Sequence, residues 1–185
     1  LKKGRSLRIK WGMKSFILIL ISIISVQSQA AILNFFSNPR VPQPIFHVTL
    51  EYKGFVYEAD THDGGRGLPL TAQTPKGDIR IEISDDLINE QALAAQMGLP
   101  FDYNFVWDNQ KTYCSKLVGK ALDIQPTPMD FSGTHYVKYY PNWINRHDLG
   151  LSPDQIYFFA MDHALRVSRK AGSRAPERTT VVVPN

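Results

Sequence analysis

The stretch Ile45 to Ala59 constrains the fold of this chain more than any other. Two runs rich in β-branched and aromatic residues, 45–52 and 55–59, flank Lys53-Gly54, and that order predicts an antiparallel hairpin. A loop of two or of four residues gives the same register, pairing Glu51 with Val56, Thr49 with Glu58 and His47 with Asp60. Side chains alternate between faces along a strand, so His47, Thr49, Glu51, Val56, Glu58 and Asp60 share one face. His47 then has Asp60 opposite and Glu58 on the diagonal, about 7–8 Å away between backbones. A histidine among carboxylates on a sheet face is either a wet outer surface or part of a site.

A second stretch, Tyr113 to Leu122, holds the only cysteine. Cys114, Leu117, Val118, Ala121 and Leu122 recur at helical spacing and form one apolar face. Thr112 is the expected N-cap. The cysteine falls in the first turn, where the positive end of the helix dipole favours thiolate, the nucleophilic form. The other reading is a small buried hydrophobe, a common fate of a free cysteine.

Around these two stretches the chain reads as a mixture of short strands and helices. His62 to Leu70 (HDGGRGLPL) has the composition of a loop, and its glycines lack the spacing and the Lys-Ser/Thr of a phosphate loop. Ile79, Ile81 and Ile83 alternate with Arg80 and Glu82 as in a half-buried strand. Ser84 caps a helix expected to run to about Met97, with Gly98 as its stop. Pro100 to Trp107 reads as a short aromatic strand, and Asp130 to Arg146 as an irregular aromatic segment. Ser152-Pro153-Asp154-Gln155 is a capping box with proline at the first helical position. The helix it opens presents Ile156, Phe159, Ala160, His163 and Val167 on one face; its C-terminal half is alternatively strand. The tail, 171–185, is expected to be loose, with Thr180 to Val183 a candidate edge strand.

Residues 1–30 read as an export leader. They carry Lys2, Lys3, Arg5, Arg8, Lys10 and Lys14 without an acid, then an apolar run from Phe16 to Val26, then Ser28 and Ala30 at cleavage-site spacing. Met13 is the better start, and the apolar run is short for a bilayer span. The expected product is periplasmic or secreted and begins at Ala31; the alternative is an uncleaved anchor in the inner membrane. Pro39, Pro42 and Pro44 make 31–44 an extended arm, ahead of one domain over 45–170. The whole chain has 21 Lys+Arg against 17 Asp+Glu; without the leader's six bases it has 15 against 17, a net charge of −2. The basicity belongs to the leader, which argues against a nucleic-acid partner. A single cysteine in an exported chain has no disulfide partner, so it is either well buried or useful.

The histidines, at 47, 62, 135, 147 and 163, offer no HxxxH, and there is no CxxC, so neither a metal nor another cofactor is expected. No GxSxG supports a serine triad, and Asp85-Asp86 is better explained as helix-end charge than as a glycosidase pair. A Cys/His pair is the most economical constellation left.

Tyr-Cys-Ser-x-Leu-Val at 113–118, Phe46-His47-Val48, Val56-Tyr57-Glu58-Ala59 and Leu151-Ser152-Pro153-Asp154-Gln155-Ile156 occur in an order and spacing that resembles the YiiX/YebB-like permuted papain-fold hydrolases of NlpC type. The resemblance covers about residues 45 to 160. It implies an α+β fold with a permuted papain-like core, an antiparallel sheet packed on the cysteine helix. It further implies Cys114 as nucleophile, His47 as base and Glu58 as the residue that orients the imidazole; Asp60 is equally placed by the hairpin register. The implied activity is that of a cysteine hydrolase cleaving an amide or ester in a peptide, a peptidoglycan fragment or a lipid, as a monomer or weak homo-oligomer. The alternative is an inactive binding module of the same fold. Tyr113, Tyr103 and Trp107 are candidate pocket walls. Lys116 stands where the family usually has an acid; lying off the cysteine face, its ammonium is expected to favour the thiolate electrostatically, or equally to mark a different substrate charge or a divergent member with weakened activity.

Overall fold

A computed structural model describes residues 30–37, 45–129 and 148–177 of the chain. The leader before Ala30, part of the expected arm, the irregular aromatic segment, the last eight residues and Thr180 to Val183 lie outside the described residues. The fold is α+β. Six strands form one antiparallel sheet: β1 (Ala30–Phe36), β2 (His47–Tyr52), β3 (Phe55–Asp60), β4 (Gly64–Pro69), β5 (Ile79–Ser84) and β8 (Arg166–Arg169), in the order β4-β3-β2-β1-β5-β8. Two helices, α2 (Cys114–Ala121) and α3 (Pro153–Asp162), pack on it, α1 (Glu90–Ala94) packs on α2, and β6 (Thr127–Pro128) pairs with β7 (Leu149–Gly150).

The β2–β3 hairpin has the register its sequence predicts, with Glu51 opposite Val56. Lys53 and Gly54 both take positive φ, 47° and 78°, the geometry of a two-residue turn that matches the twist of the flanking strands. One face of the sheet is dry. Leu33, Val48, Leu50, Ile79, Ile81 and Ile83 meet Leu117, Val118, Ala121, Ile156 and Ala160 in one buried cluster, each larger side chain contributing roughly 1.5–3 kcal/mol by leaving water.

The expected arm at 31–44 is corrected over its first six residues. Ala31, Leu33 and Phe35 are fully buried in β1, a central strand bonded to β2 on one side and β5 on the other. The prolines that suggested an arm all come after the strand, so every N–H of β1 remains available to the ladder.

His62 to Leu70 is likewise not all loop, because Gly64–Pro69 is β4, paired along its length with β3. Its glycines are used for close approach: a Cβ on Gly64 would lie 2.0 Å from Leu99 O, and one on Gly65 2.0 Å from Gln96 O.

The helix expected from Ser84 to Met97 is broken. Ser84 caps a 3-10 turn, Asp85–Leu87, Ile88 is extended, and Asn89 caps α1 through Ala92 N at 2.9 Å. The aromatic strand expected at 100–107 is a loop with a single bridge, Phe101 to Thr112. Asp102 accepts from the Asn104 and Val106 amides at 2.9 and 2.8 Å, so its carboxylate captures N–H groups a strand would have paired. The capping box at Ser152 forms as read, but the helix ends at Asp162 and the chain passes into edge strand β8. Its buried face is Ile156, Tyr157 and Ala160; Phe159 is only partly covered and His163 closes the helix. Among the described residues no helix is long and apolar enough to cross a membrane.

Candidate active site

Cys114 is the first residue of α2, and its helix is capped by Tyr113 without a side-chain bond. Thr112, the expected cap, is buried and donates instead to Gln96 Oε1 at 2.9 Å. That contact fixes the entry to α2 against the segment that also receives β4. The remaining turns of α2 are held from below by Leu117, Val118 and Ala121, which leaves the first turn facing the start of β2.

There the imidazole of His47 and the thiol of Cys114 hydrogen-bond. Burial opposes ionisation of both. For Cys114 that opposition is outweighed by the bond to His47, its positive charge, and the backbone amides of Val48 and Ser115 directed at the sulfur, so the thiol titrates below its ordinary range. For His47 the interactions with Cys114 and then with the Glu58 carboxylate outweigh burial and lift the imidazole to about 10. The two shifts point to one state, thiolate beside imidazolium. Phe36 and Phe46 flank the ring, with centroids 5.6 and 6.3 Å away.

Glu58 Oε2 lies 3.7 Å from His47 Nε2, the distance of an ion pair. The carboxylate is held below its usual range by His47 first, against its own burial, and then by Arg66. Asp60, the other residue the hairpin register offered, accepts the backbone amides of His62 and Asp63 at 2.8 and 3.3 Å and does not pair with His47. The geometry therefore brings Cys114, His47 and Glu58 together and leaves Asp60 aside.

Arg66 is the residue that the sequence reading missed. It sits opposite Glu58 across β3 and β4, and donates to Glu58 Oε1 from Nε at 2.9 Å and Nη2 at 2.6 Å. It also bonds Asp63 and lies 3.5 Å from Asp60. The signal was present: extending the period-2 alternation across the glycines of HDGGRGLPL places Arg66 on the Glu58 face. Composition hid it.

Lys116 has a use in the fold that the sequence reading did not foresee. Its side chain is buried, and Nζ donates to Val106 O at 2.8 Å, Lys111 O at 2.6 Å and Asp108 Oδ1 at 3.0 Å. The ammonium ties the 106–111 loop to α2.

A cavity of about 440 Å³ opens against His47, Glu58 and Arg66, with Thr49, Val56 and Leu68 among its other walls. Cys114 is not one of them. The three residues expected to line a pocket are also elsewhere. Tyr113 is buried against Phe105 and accepts from Leu151 N through its hydroxyl, so packing uses its whole ring. Trp107 lies under Lys120, whose Nζ is 4.6 Å from the ring centroid. Tyr103 is 62% exposed and donates to Thr61 O. Among the described residues no three His, Cys, Asp or Glu side chains gather at metal-binding spacing.

No protein-family model matches the chain, and no curated protein matches it. Among solved structures it is similar to the metalloprotein yiiX from Escherichia coli O157:H7, with 19% sequence identity, 80% of this chain and 98% of that chain covered, and a TM-score of 0.48.

Proposed function

We propose that this protein is a thiol hydrolase that cleaves an amide or ester bond through an acyl-enzyme, on a permuted papain-like core. The observation that carries the reading is the Cys114–His47 hydrogen bond, with the thiol shifted down and the imidazole up to about 10. Such a pair is an activated nucleophile with its proton already on the base.

The thiolate attacks the carbonyl carbon, and the carbonyl electron pair moves onto oxygen. The Cys114 amide, one of the N–H groups a helix start leaves without an intrahelical partner, and a neighbouring donor hold that oxyanion. On collapse the bond to the leaving nitrogen or oxygen breaks, and His47 gives it the proton. Water then attacks the thioester, His47 takes the water's proton, and the acid leaves as the thiol is regenerated. Glu58 keeps Nε2 occupied and offsets the imidazolium charge. The substrates that fit this chemistry are a short peptide, a peptidoglycan fragment or a lipid-type ester or amide, met after export by the leader.

One observation favours a second reading, an inactive binding module: the cavity beside the pair reaches His47 and Glu58 but not Cys114. Mixing the protein with p-nitrophenyl acetate decides between the two. The hydrolase releases a burst of about one equivalent of nitrophenolate and carries an acetyl group on Cys114 in the intact mass, and Cys114→Ser does neither. A wild-type protein without burst or acetylated Cys114 overturns the enzyme.

A further inference from the structure

Arg66 has a geometry to which the hydrolase mechanism gives no role. It stands directly opposite Glu58 on β4, and two of its N–H groups converge on one carboxylate oxygen. Nε lies 2.9 Å and Nη2 2.6 Å from Glu58 Oε1. The second oxygen, Oε2, is the one 3.7 Å from His47 Nε2. The carboxylate is divided, one oxygen for the cation and one for the imidazole.

The guanidinium is held on its far side as well. Nη1 bonds Asp63, and Nη2 lies 3.5 Å from Asp60 Oδ2. Asp60 is itself fixed by the His62 and Asp63 amides, with the exposed His62 ring 3.6 Å away. A planar fork gripped by carboxylates at both ends has little freedom to swing. A glutamate without such an anchor samples many rotamers, and ordering it costs entropy. Charge and position act in opposite directions here. A cation near an imidazolium disfavours its charged form, whereas a fork that keeps Oε2 turned to the ring favours it.

We infer that Arg66 is a positioning residue: its fork fixes Glu58 Oε1 so that Oε2 stays turned to His47, and Asp63 and Asp60 hold the fork in place. Its use in catalysis rests on the hydrolase reading; the geometry does not.

Alkylation of Cys114 by iodoacetamide reads the imidazole without any substrate. In Arg66→Met the alkaline limb moves towards neutral pH, about half as far as in Glu58→Gln or further. Glu58→Gln combined with Arg66→Met moves it no further than Glu58→Gln alone. An effect of charge alone has the opposite sign and puts the limb at higher pH. Arg66→Lys, which keeps the charge without the fork, follows Arg66→Met. Asp63→Asn, a change at an exposed residue that leaves the Glu58 bonds in place, moves the limb the same way by less, and serves if Arg66→Met does not fold. Turnover of p-nitrophenyl acetate falls about tenfold in Arg66→Met, a part of what a positioned acid–base group supplies. A limb that stays in place, rises, or shifts additively with Glu58→Gln overturns the role of Arg66. If the limb moves as stated but wild type gives neither burst nor acetylated Cys114, the hydrolase reading falls and the positioning of Glu58 stands.

Discussion

His47 stands between two anionic partners, and their removal has distinct signatures. Glu58→Gln takes away one of them, so the imidazole falls from about 10 and the alkaline limb of Cys114 alkylation by iodoacetamide moves towards neutral pH. His47→Gln removes the bond and the charge that lower the thiol, so alkylation rises only above about pH 8, near an ordinary thiol. Ester turnover drops about 10²–10⁴-fold with it, the usual worth of a positioned acid–base group. If the alkylation profile of His47→Gln matches wild type, the two residues are not coupled. The pair also dictates a shape for stability against pH. Unfolded, the histidine titrates at 6.5 and the thiol at 9.0, whereas folded, the histidine holds its proton to about 10 and the thiol loses its own below 9.0. The raised histidine contributes stability that is fully present below about 6.5 and is lost as pH rises through about 10. The lowered thiol contributes stability that is fully present above about 9 and is lost as pH falls through its folded value. The difference in unfolding free energy between wild type and Cys114→Ser, measured by urea across pH, should therefore fall at both the alkaline and the acid end. A difference that stays flat from acid to alkaline pH contradicts the ion pair.

At the scale of elements, the segments that the sequence misreads are those whose form depends on a neighbour. β4 is nearly devoid of strand-forming residues, yet it pairs with β3 and its glycines lie flush on 96–99, with Gly65 N bonding Leu99 O at 2.8 Å and Gly98 N bonding Gly65 O at 2.7 Å. Gly65→Ala sets a Cβ against backbone that has little room to move, and should cost about 1–3 kcal/mol in urea unfolding. Because β4 carries Arg66, ester turnover should fall with it; unchanged stability would mean that β4 does not dock on 96–99. Lys116 makes the same point for α2. Its apolar stem is buried and its ammonium joins Val106, Asp108 and Lys111. Lys116→Met leaves those acceptors unpaired, for about 1–3 kcal/mol, and should open 102–111 to limited proteolysis. The alkylation profile of Cys114 should stay in place. A profile that shifts by a unit or more would restore the electrostatic role.

Taken together, the described residues build a six-stranded antiparallel sheet closed on one side by helices, and its burial is deepest in the middle strands. Leu33 is fully buried in β1, between β2 and β5, while Val167 on edge strand β8 is 37% exposed. Leu33→Ala should cost about 2–5 kcal/mol and Val167→Ala about 0.5 kcal/mol or less, by urea midpoint; equal losses would deny β1 its central place. What the sequence determined by itself is local: the Lys53-Gly54 hairpin and its register, the alternation of Ile79 to Ile83, the capping box at Ser152, and the face of α2. Each of these is written in residues two to four positions apart, where period and turn chemistry act directly. The hairpin register even carried Glu58 to the diagonal of His47, but it left Asp60 as good a neighbour. Only the tertiary structure separated them, by turning Asp60 onto the His62 and Asp63 amides and bringing Arg66 to Glu58. It also decided that AAILNFF is a central strand, that HDGGRGLPL contains one, and that Lys116 staples a loop. The physical reason is common to all: a strand exists by its partners' hydrogen bonds, and a charge is placed by its counter-charge, and both come from parts of the chain that local pattern does not reach.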